Sequence, residues 1–319
     1  MQPSRRRCVR RAGLTITEVL VAIGILGLLA ALSIPAVQTS RAASRRVQCQ
    51  SRLKQLGLAM SNIVDAAGAF PTSNQPHPPL WRILPYLDRA PLAEMLIANS
   101  HVHGGGDRSM FDVSDLVCPS ETLARSDTGQ TNYFLNDGTR FRSRDPFNGF
   151  KIDHKQDVRP ADITDGLSQT AAMSERLVGN IRYDWPSNEQ MMREPLRYFF
   201  WTEKRYKNPD EEPLAAEQCR NHRIAASPQT LQMNTEDFKY SVGGYDHMQP
   251  PNQAACYNGP EDLEIDTSLR LVPASSLHPG GVNVLMADGS VHFVSGGVDA
   301  VVWNAAGTRS GNESSSLPF

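Results

Sequence analysis

The sequence predicts an α+β protein: a long amino-terminal helix, its first half apolar enough to cross a membrane, packed on an antiparallel β-sheet domain. Three observations carry that expectation. From Val19 through Ser40 there is no charged side chain, a run of 22 residues, and as helix such a run is roughly 33 Å long, enough to span a bilayer. Further on, short runs of strand-forming residues alternate with clusters of Pro, Gly, Asn and Asp, the pattern of many short strands and turns. Near the end, in HPGGVNVLMADGSVHFVSGG, two alternating apolar runs flank Asp288-Gly289, the strongest short-range mark of a hairpin.

Composition sets the outer bounds. With 319 residues, 40% hydrophobic and 21% charged, the chain is no disordered polymer and can hold one large core or two modest ones. Its 32 basic and 34 acidic residues leave a formal charge of -2, which gives no electrostatic case for nucleic acid as a partner. Only 7% of residues are aromatic, while 23 Gly and 22 Pro argue for turns and short elements over a helical bundle.

Residues 1–13 carry Arg5, Arg6, Arg7, Arg10 and Arg11, no acidic residue, and end at Gly13. The apolar run behind them is longer than the core of a secretory signal, and no small-residue cleavage site follows it cleanly. Arg41, Arg45, Arg46, Arg52 and Lys54 balance the leading arginines, so the positive-inside rule returns a tie. Glu18 breaks it. A carboxylate in an apolar helix is costly unless it meets a partner, and a free α-amino group, created by a cut between Gly13 and Leu14, would be one.

The string GLTITEVLVAIGILGLLAALSIPAV resembles the amino-terminal segment of type IV pilins and type II secretion pseudopilins. That resemblance implies cleavage by a prepilin peptidase after Gly13, methylation of the new terminus at Leu14, a Glu as fifth residue and a helix-kinking Pro as twenty-second; counted from Leu14, these are Glu18 and Pro35. Leu14 departs from the usual Phe. An ordinary signal anchor is the plainer alternative, but it has no reason to hold Gly, Glu and Pro in this register. Beyond Pro35, Leu53, Leu56, Met60, Ile63 and Ala67 fall on one helical face, and Gly68 with Pro71 should stop the helix. From Leu14 to Ala67 it would be roughly 80 Å long.

Removing residues 1–13 would remove Cys8 and five arginines, leaving 27 basic against 34 acidic residues, a charge of -7. Cys49, Cys118, Cys219 and Cys256 remain, an even number suited to disulfides outside the cytoplasm. Four cysteines permit three pairings, and sequence alone does not choose among them. The favoured pairs are Cys49 with Cys118, tying the long helix to its domain, and Cys219 with Cys256. A zinc site is the alternative, with no Cys-x-x-Cys spacing to support it.

Within the region expected to lie outside the membrane, 69–319, Asp88 is a plausible N-cap of a helix reaching Asn99, with Pro91 in its first turn. Strand-like runs follow at Asp115 to Cys118, Thr131 to Leu135, Thr170 to Leu177 and Leu196 to Trp201, with Asp137-Gly138 and Asp165-Gly166 as turns. Residues 203–272 lack periodicity and read as an irregular insertion. A type I′ turn at Asp288-Gly289 would set Met286 beside Val291 and Val284 beside Phe293, placing these four with Val282 on one core-facing side. Val298 to Ala305 suits a closing helix.

The strings RVQCQSRLKQLGLAMSNIVDAAGAFP, LVCPSE, TNYFLNDGT, ADITDGLSQT and HPGGVNVLMADGSVHFVS are together similar to the domain-of-unknown-function family numbered 1559. Its members carry a prepilin-type amino terminus and end in a His, nine residues, Asp-Gly motif, matched here by His278, Asp288 and Gly289. The resemblance leaves roughly 203–272 unmatched and implies architecture and location rather than an activity.

No catalytic motif emerges. One strand between them would hold His278 and Asp288 ~20 Å apart at ~3.3 Å per residue, so they could not share a proton; a turn-shaping Asp288 and a strand-leading His278 are the expected roles. Asp288 and nearby carbonyls could hold a calcium ion, since a carboxylate-lined turn offers oxygen ligands. His101 and His103 with Asp107 could form a metal clip, though a glycine loop with incidental histidines fits as well. Phe199 and Trp201 read as a buried strand face, with a glycan-stacking platform as the alternative. The expectation is a structural subunit and not an enzyme, a pseudopilin-like protein of a type II secretion or type IV pilus-like assembly. Its partners would be prepilin peptidase, the membrane and other pilin-like subunits met through the helix. It would sit in the inner membrane by a single pass, with its C-terminal domain periplasmic or extracellular. The alternatives are a membrane-tethered module that binds a glycan or another ligand, and a cell-surface enzyme with its site in residues 203–272.

Overall fold

The computed structural model describes residues 15–72, 79–98, 116–123, 131–140, 148–150, 157–178, 188–206, 208–221, 224–230, 244–259, 270–313 and 317. The chain forms two compact units, Met1–Ser44 and Arg45–Phe319, and is α+β. Its described helices are α1 (Ile16–Ala67), α2 (Pro79–Ile83), α3 (Ala90–Ala98), α4 (Asn188–Arg193), α5 (Glu212–Asn221) and a closing helix at Ala300–Gly307. The described strands are β1 (Tyr133–Gly138), β2 (Ala171–Glu175), β3 (Tyr198–Trp201), β4 (Ile224–Thr230), β5 (Gly244–Asp246), β6 (Ala255–Tyr257), β7 (Arg270–Leu271), β8 (Gly281–Met286) and β9 (Val291–Ser295).

In the first unit α1 is uncharged and mainly apolar on all sides from Val19 to Val37, with Leu20, Leu26, Ile34 and their neighbours exposed. The Ser33 and Thr39 hydroxyls donate to the carbonyls of Leu29 and Pro35, at 2.7 and 2.9 Å, which satisfies them within the helix. The helix stays continuous through Pro35.

In the second unit α1 turns amphipathic. Cys49, Leu53, Leu56, Met60 and Ile63 are buried as their spacing predicts, but Ala67 is exposed, so the packed face ends a turn early. Gly68 takes φ +77° and its N–H donates to Val64 O, the left-handed stop that favours glycine. Asp88 is not an N-cap. Its φ of 58° closes the preceding 3-10 turn, Leu84–Leu87, by an N–H bond to Leu84 O, and α3 starts at Ala90 instead.

A five-stranded sheet runs β5-β1-β2-β8-β9 and a four-stranded one β4-β3-β6-β7. Most pairs are antiparallel, as expected, but β5 lies parallel to β1 and β6 parallel to β3, so both sheets are mixed. Parallel neighbours need a long crossover, and the long excursions before β5 and β6 supply one. The stretch 203–272, expected to be irregular, thus contributes α5 and β4 to β7. Leu116 to Cys118 forms no strand, Asp115 lies outside the described residues, and Leu116 O accepts the Asn132 N–H instead.

The first sheet is buried on both faces. Leu53, Leu56 and Met60 of α1 pack with Tyr133, Leu135, Met173 and Leu285 on one side; Phe134, Val282, Val284 and Met286 pack with Trp303 of the closing helix on the other. The terminal hairpin forms, with a register one residue from that expected: Val291 pairs with Leu285, His292 with Val284 and Phe293 with Asn283. The reason is the turn. Of its two central residues only Gly289 has positive φ, +82°, while Asp288 Oδ1 accepts from Ser290 N and Oγ at 2.8 and 2.6 Å. Met286 therefore pairs with Ser290 across a three-residue loop, the geometry of a type I turn with a glycine bulge. A one-residue shift swaps the faces of β9. Val291 joins Leu285 on the α1 side, and Phe293 lies under the Arg46 guanidinium at 4.6 Å. Gly57 marks the tightest approach of α1 to this hairpin: a Cβ there would stand 2.7 Å from Leu285 Cδ1.

In the second sheet both faces of β3 are covered. Phe199 stacks on Tyr257 at 4.5 Å and Trp201 meets the same ring at a tilt, 4.9 Å away; each is 3% exposed, so they form a core face and no surface platform.

Candidate functional site: a buried histidine, carboxylate and disulfide

Adjacent antiparallel strands build the site. β2 ends at Glu175 beside the start of β8, where Asn283 N donates to Glu175 Oε2 at 2.8 Å and Asn283 Nδ2 to Oε1 at 2.9 Å. The loop leading into β8 carries His278. Its N–H donates to Ser276 Oγ, and that hydroxyl donates to Gly281 O at 2.7 Å, so the loop is tied across its own base; Gly280, at φ +88°, turns the chain into the strand. His278 Nε2 then lies 3.1 Å from Glu175 Oε1. Both side chains are essentially buried.

The opposite wall is sulfur. Cys49 of α1 and Cys118 form a disulfide across a sequence separation of 69, and Cys118 Sγ is 3.6 Å from His278 Nε2. Ser120 Oγ is 3.4 Å from the other ring nitrogen, Nδ1. The Tyr133 hydroxyl donates to Cys49 O at 3.3 Å; burial first, then the Glu175 charge, pushes that phenol far above its usual range. Cys118, Ser120, Glu121, Glu175, Ser276 and Leu277 line a small pocket at the edge of the cluster.

Glu121 is held by a separate network. Arg197 Nη2 donates to Glu121 Oε1 at 2.7 Å, and the Val178 N–H donates to Oε2 at 3.1 Å. Burial pushes the Glu121 carboxyl up, but the Arg197 hydrogen bond and charge, with the N–H groups of Leu123 and Val178, outweigh it and hold it below the ordinary carboxylate range. With Arg197 directly ahead of β3, this pair links the two sheets.

Asp288 lies exposed at the hairpin tip and takes no part in the cluster. The partner of His278 is Glu175, which sequence reasoning missed; its trace was a lone acid ending the apolar run TAAMSE, and only the strand register reveals what it meets. The second favoured disulfide also forms, Cys219 with Cys256, joining α5 to β6. Gly13 and Leu14 lie outside the described residues, as do His101, His103 and Asp107. Glu18 is described: its Oε2 accepts from Thr15 N and Oγ1, both at 2.8 Å, and Thr15 Oγ1 accepts from Glu18 N at 3.3 Å. This is a capping box, a role for Glu18 that the sequence reading did not assign.

Fold and site define an α+β domain, stapled by two disulfides, behind one N-terminal helix long and apolar enough for a membrane anchor or a signal sequence. The chain belongs to the family described as "Protein of unknown function (DUF1559)", which matches residues 38–300. That membership and the apolar helix together fit a membrane-anchored extracytoplasmic domain. Neither a curated protein nor a solved structure matches the chain.

Proposed function

We propose that the protein is a pseudopilin-like structural subunit, cut by a prepilin peptidase after Gly13 and assembled through α1 in the inner membrane with other pilin-like subunits. It is a substrate of processing and not a catalyst. The observation that carries this reading is a helix whose exposed stretch from Val19 to Ser40 holds no charged side chain and follows one carboxylate, Glu18, in register with Gly13 and Pro35. Once the cut exposes the amine of Leu14, Glu18 of a neighbouring subunit can meet that cation in the apolar phase, where an unpaired charge is costly. Exchange of lipid contacts for helix contacts then favours assembly.

Glu18 also completes the capping box with Thr15, so its substitution must separate charge from capping. Glu18→Gln keeps an N3 amide that can cap and removes the charge. Mass spectrometry of the native protein is expected to find a terminus at N-methylated Leu14, and Glu18→Gln to be processed and inserted but to lose assembly with other subunits, read by crosslinking in membranes. An intact residue 1–13 segment would overturn the processing step. Normal crosslinking of Glu18→Gln would overturn the charge pairing and favour a tethered binding module.

A further inference from the structure

Among the described residues, ligand-type atoms of Cys49, Cys118, Glu175 and His278 lie within 4.8 Å of one another, all four side chains buried. We propose that the Cys49–Cys118 disulfide and a Zn2+ centre are alternative states of this one site. In the reduced protein Cys49 Sγ, Cys118 Sγ, His278 Nε2 and a Glu175 carboxylate oxygen close around the ion.

The geometry is close to the required one. Zinc takes thiolates at about 2.3 Å and imidazole or carboxylate at about 2.0–2.1 Å, so a tetrahedral site has edges of about 3.8 Å between sulfurs, 3.5 Å from sulfur to nitrogen and 3.3 Å from nitrogen to oxygen. The distance from Cys118 Sγ to His278 Nε2 is already 3.6 Å, and that from His278 Nε2 to Glu175 Oε1 is 3.1 Å. The edge that must open is the one between the two sulfurs, which are bonded to each other in the disulfide. Breaking it releases the two sulfurs to separate by rotation of their side chains.

The surroundings suit a metal. Asn283 holds both oxygens of Glu175 through N and Nδ2, and Ser120 Oγ faces His278 Nδ1, so the ring can carry its proton on Nδ1 and present Nε2 as a ligand. Outer partners of this kind orient metal ligands. Two thiolates and a carboxylate leave a net charge of -1 around a divalent ion; Arg52, one turn along α1 from Cys49, donates to Val117 O directly ahead of Cys118 and offsets it. The pocket at Cys118 and Ser276 provides the approach.

The conversion balances with a dithiol-class reductant. Its thiolate attacks Cys118 Sγ, the S–S bond breaks with Cys49 sulfur leaving, and its second thiol resolves the mixed disulfide. The reductant is thereby oxidised to a disulfide as Cys49 and Cys118 take two electrons and two protons. Zn2+ then displaces both thiol protons.

The test uses the full chain in detergent, oxidised or reduced, titrated with Co2+ as a spectroscopic probe and with Zn2+ in competition. One equivalent of Co2+ with thiolate-to-metal charge-transfer absorption is expected in the reduced protein, displaced by Zn2+, and none in the oxidised protein. The absorption should vanish in Cys49→Ser/Cys118→Ser, which keeps Cys219 and Cys256, and the affinity should fall at least tenfold in His278→Gln. Because substitution at these buried positions can disturb folding, reduced wild type is decisive alone: no thiolate–cobalt absorption in a reduced chain that keeps its circular dichroism overturns the proposal. Unchanged absorption in Cys49→Ser/Cys118→Ser would also overturn it, by placing the metal at the other cysteine pair.

Discussion

Replacing Cys49 and Cys118 together by alanine is expected to lower the unfolding free energy by about 4 kcal/mol, because their bridge closes a loop with a sequence separation of 69 and so restricts the unfolded chain. The loss should be local before it is global. Cys49 lies at the N-terminal end of the buried face of α1, followed by Leu53, Leu56, Met60 and Ile63, and the bridge is the covalent tie between this helix and the loop ahead of β1. Without it the first docked turn is held by non-covalent contacts, among them Gln50 Nε2 to Val291 O at 3.3 Å and Lys54 Nζ to Gly289 O at 2.6 Å. Under native conditions the variant should be cut by trypsin at Arg46, Arg52 or Lys54 well before wild type. The Cys219→Ala/Cys256→Ala variant should leave these bonds protected. Equal protection in all three proteins, with an unfolding midpoint unmoved by loss of the first bridge, would refute the assignment.

The second large effect concerns pH and two adjacent buried groups. Burial pushes the Asp246 carboxyl up to about 7 from its ordinary 3.8, against the N–H groups of Val272 and Met248 that favour its charge, with Asp137 raising and Arg176 lowering it further. Burial pushes His247 down to about 3 from 6.5, opposed by its bond to Trp303 O; its Nδ1 faces that carbonyl at 2.7 Å and Nε2 the Tyr245 hydroxyl at 3.0 Å. Asp246 is a group raised in the folded state: between about pH 4 and 7 the folded chain binds the extra proton, so its contribution is lost as pH rises. His247 is the reverse. Between about pH 6.5 and 3 the unfolded chain binds the proton, so its contribution is lost as pH falls. At 1.36 kcal/mol per unit the ceilings are about 4 kcal/mol for Asp246 and about 5 for His247, and across pH 4 to 6.5 they oppose one another.

The contributions of these two groups should therefore nearly cancel in wild type between pH 4 and 6.5, and single substitutions should expose the opposing slopes. Asp246→Asn is expected to lose stability on acidification from pH 6.5, with the His247 effect unmasked. His247→Gln is expected to lose stability as pH rises from 4 to 7. The slope is the quantity to read from denaturant unfolding at fixed pH, since each substitution also changes hydrogen bonds at all pH values. Parallel curves for the three proteins would show that neither group titrates as its burial demands.

Much of the local structure was legible in the residues because local rules govern it. The apolar run Val19 to Ser40, the glycine stop at Gly68, the buried spacing of Leu53, Leu56, Met60 and Ile63, and the existence of the terminal hairpin all follow from periodicity or from the φ that glycine alone adopts easily. The even cysteine count suited two bridges. What the residues could not specify was register and long-range pairing. One glycine with positive φ, in place of two residues, moved the hairpin by a residue and put Val291 on the opposite side from Val284. Asp88 closes a turn where the sequence predicts a cap, because its neighbours form the 3-10 segment Leu84–Leu87. The helix and strands within 203–272 depend on partners elsewhere, β3 and β1, and so leave little periodicity of their own.

The candidate site shows the same division most clearly. Cys49, Cys118 and His278 stood out as residues, and two of them were paired correctly, yet Glu175 entered only when β2 and β8 came into register. Composition, helix periodicity and glycine placement are properties of neighbouring residues, and the chain displays them before it folds. The meeting of a carboxylate, an imidazole and two sulfurs from four separate stretches is a property of packing, decided where burial forces each polar group to find a partner.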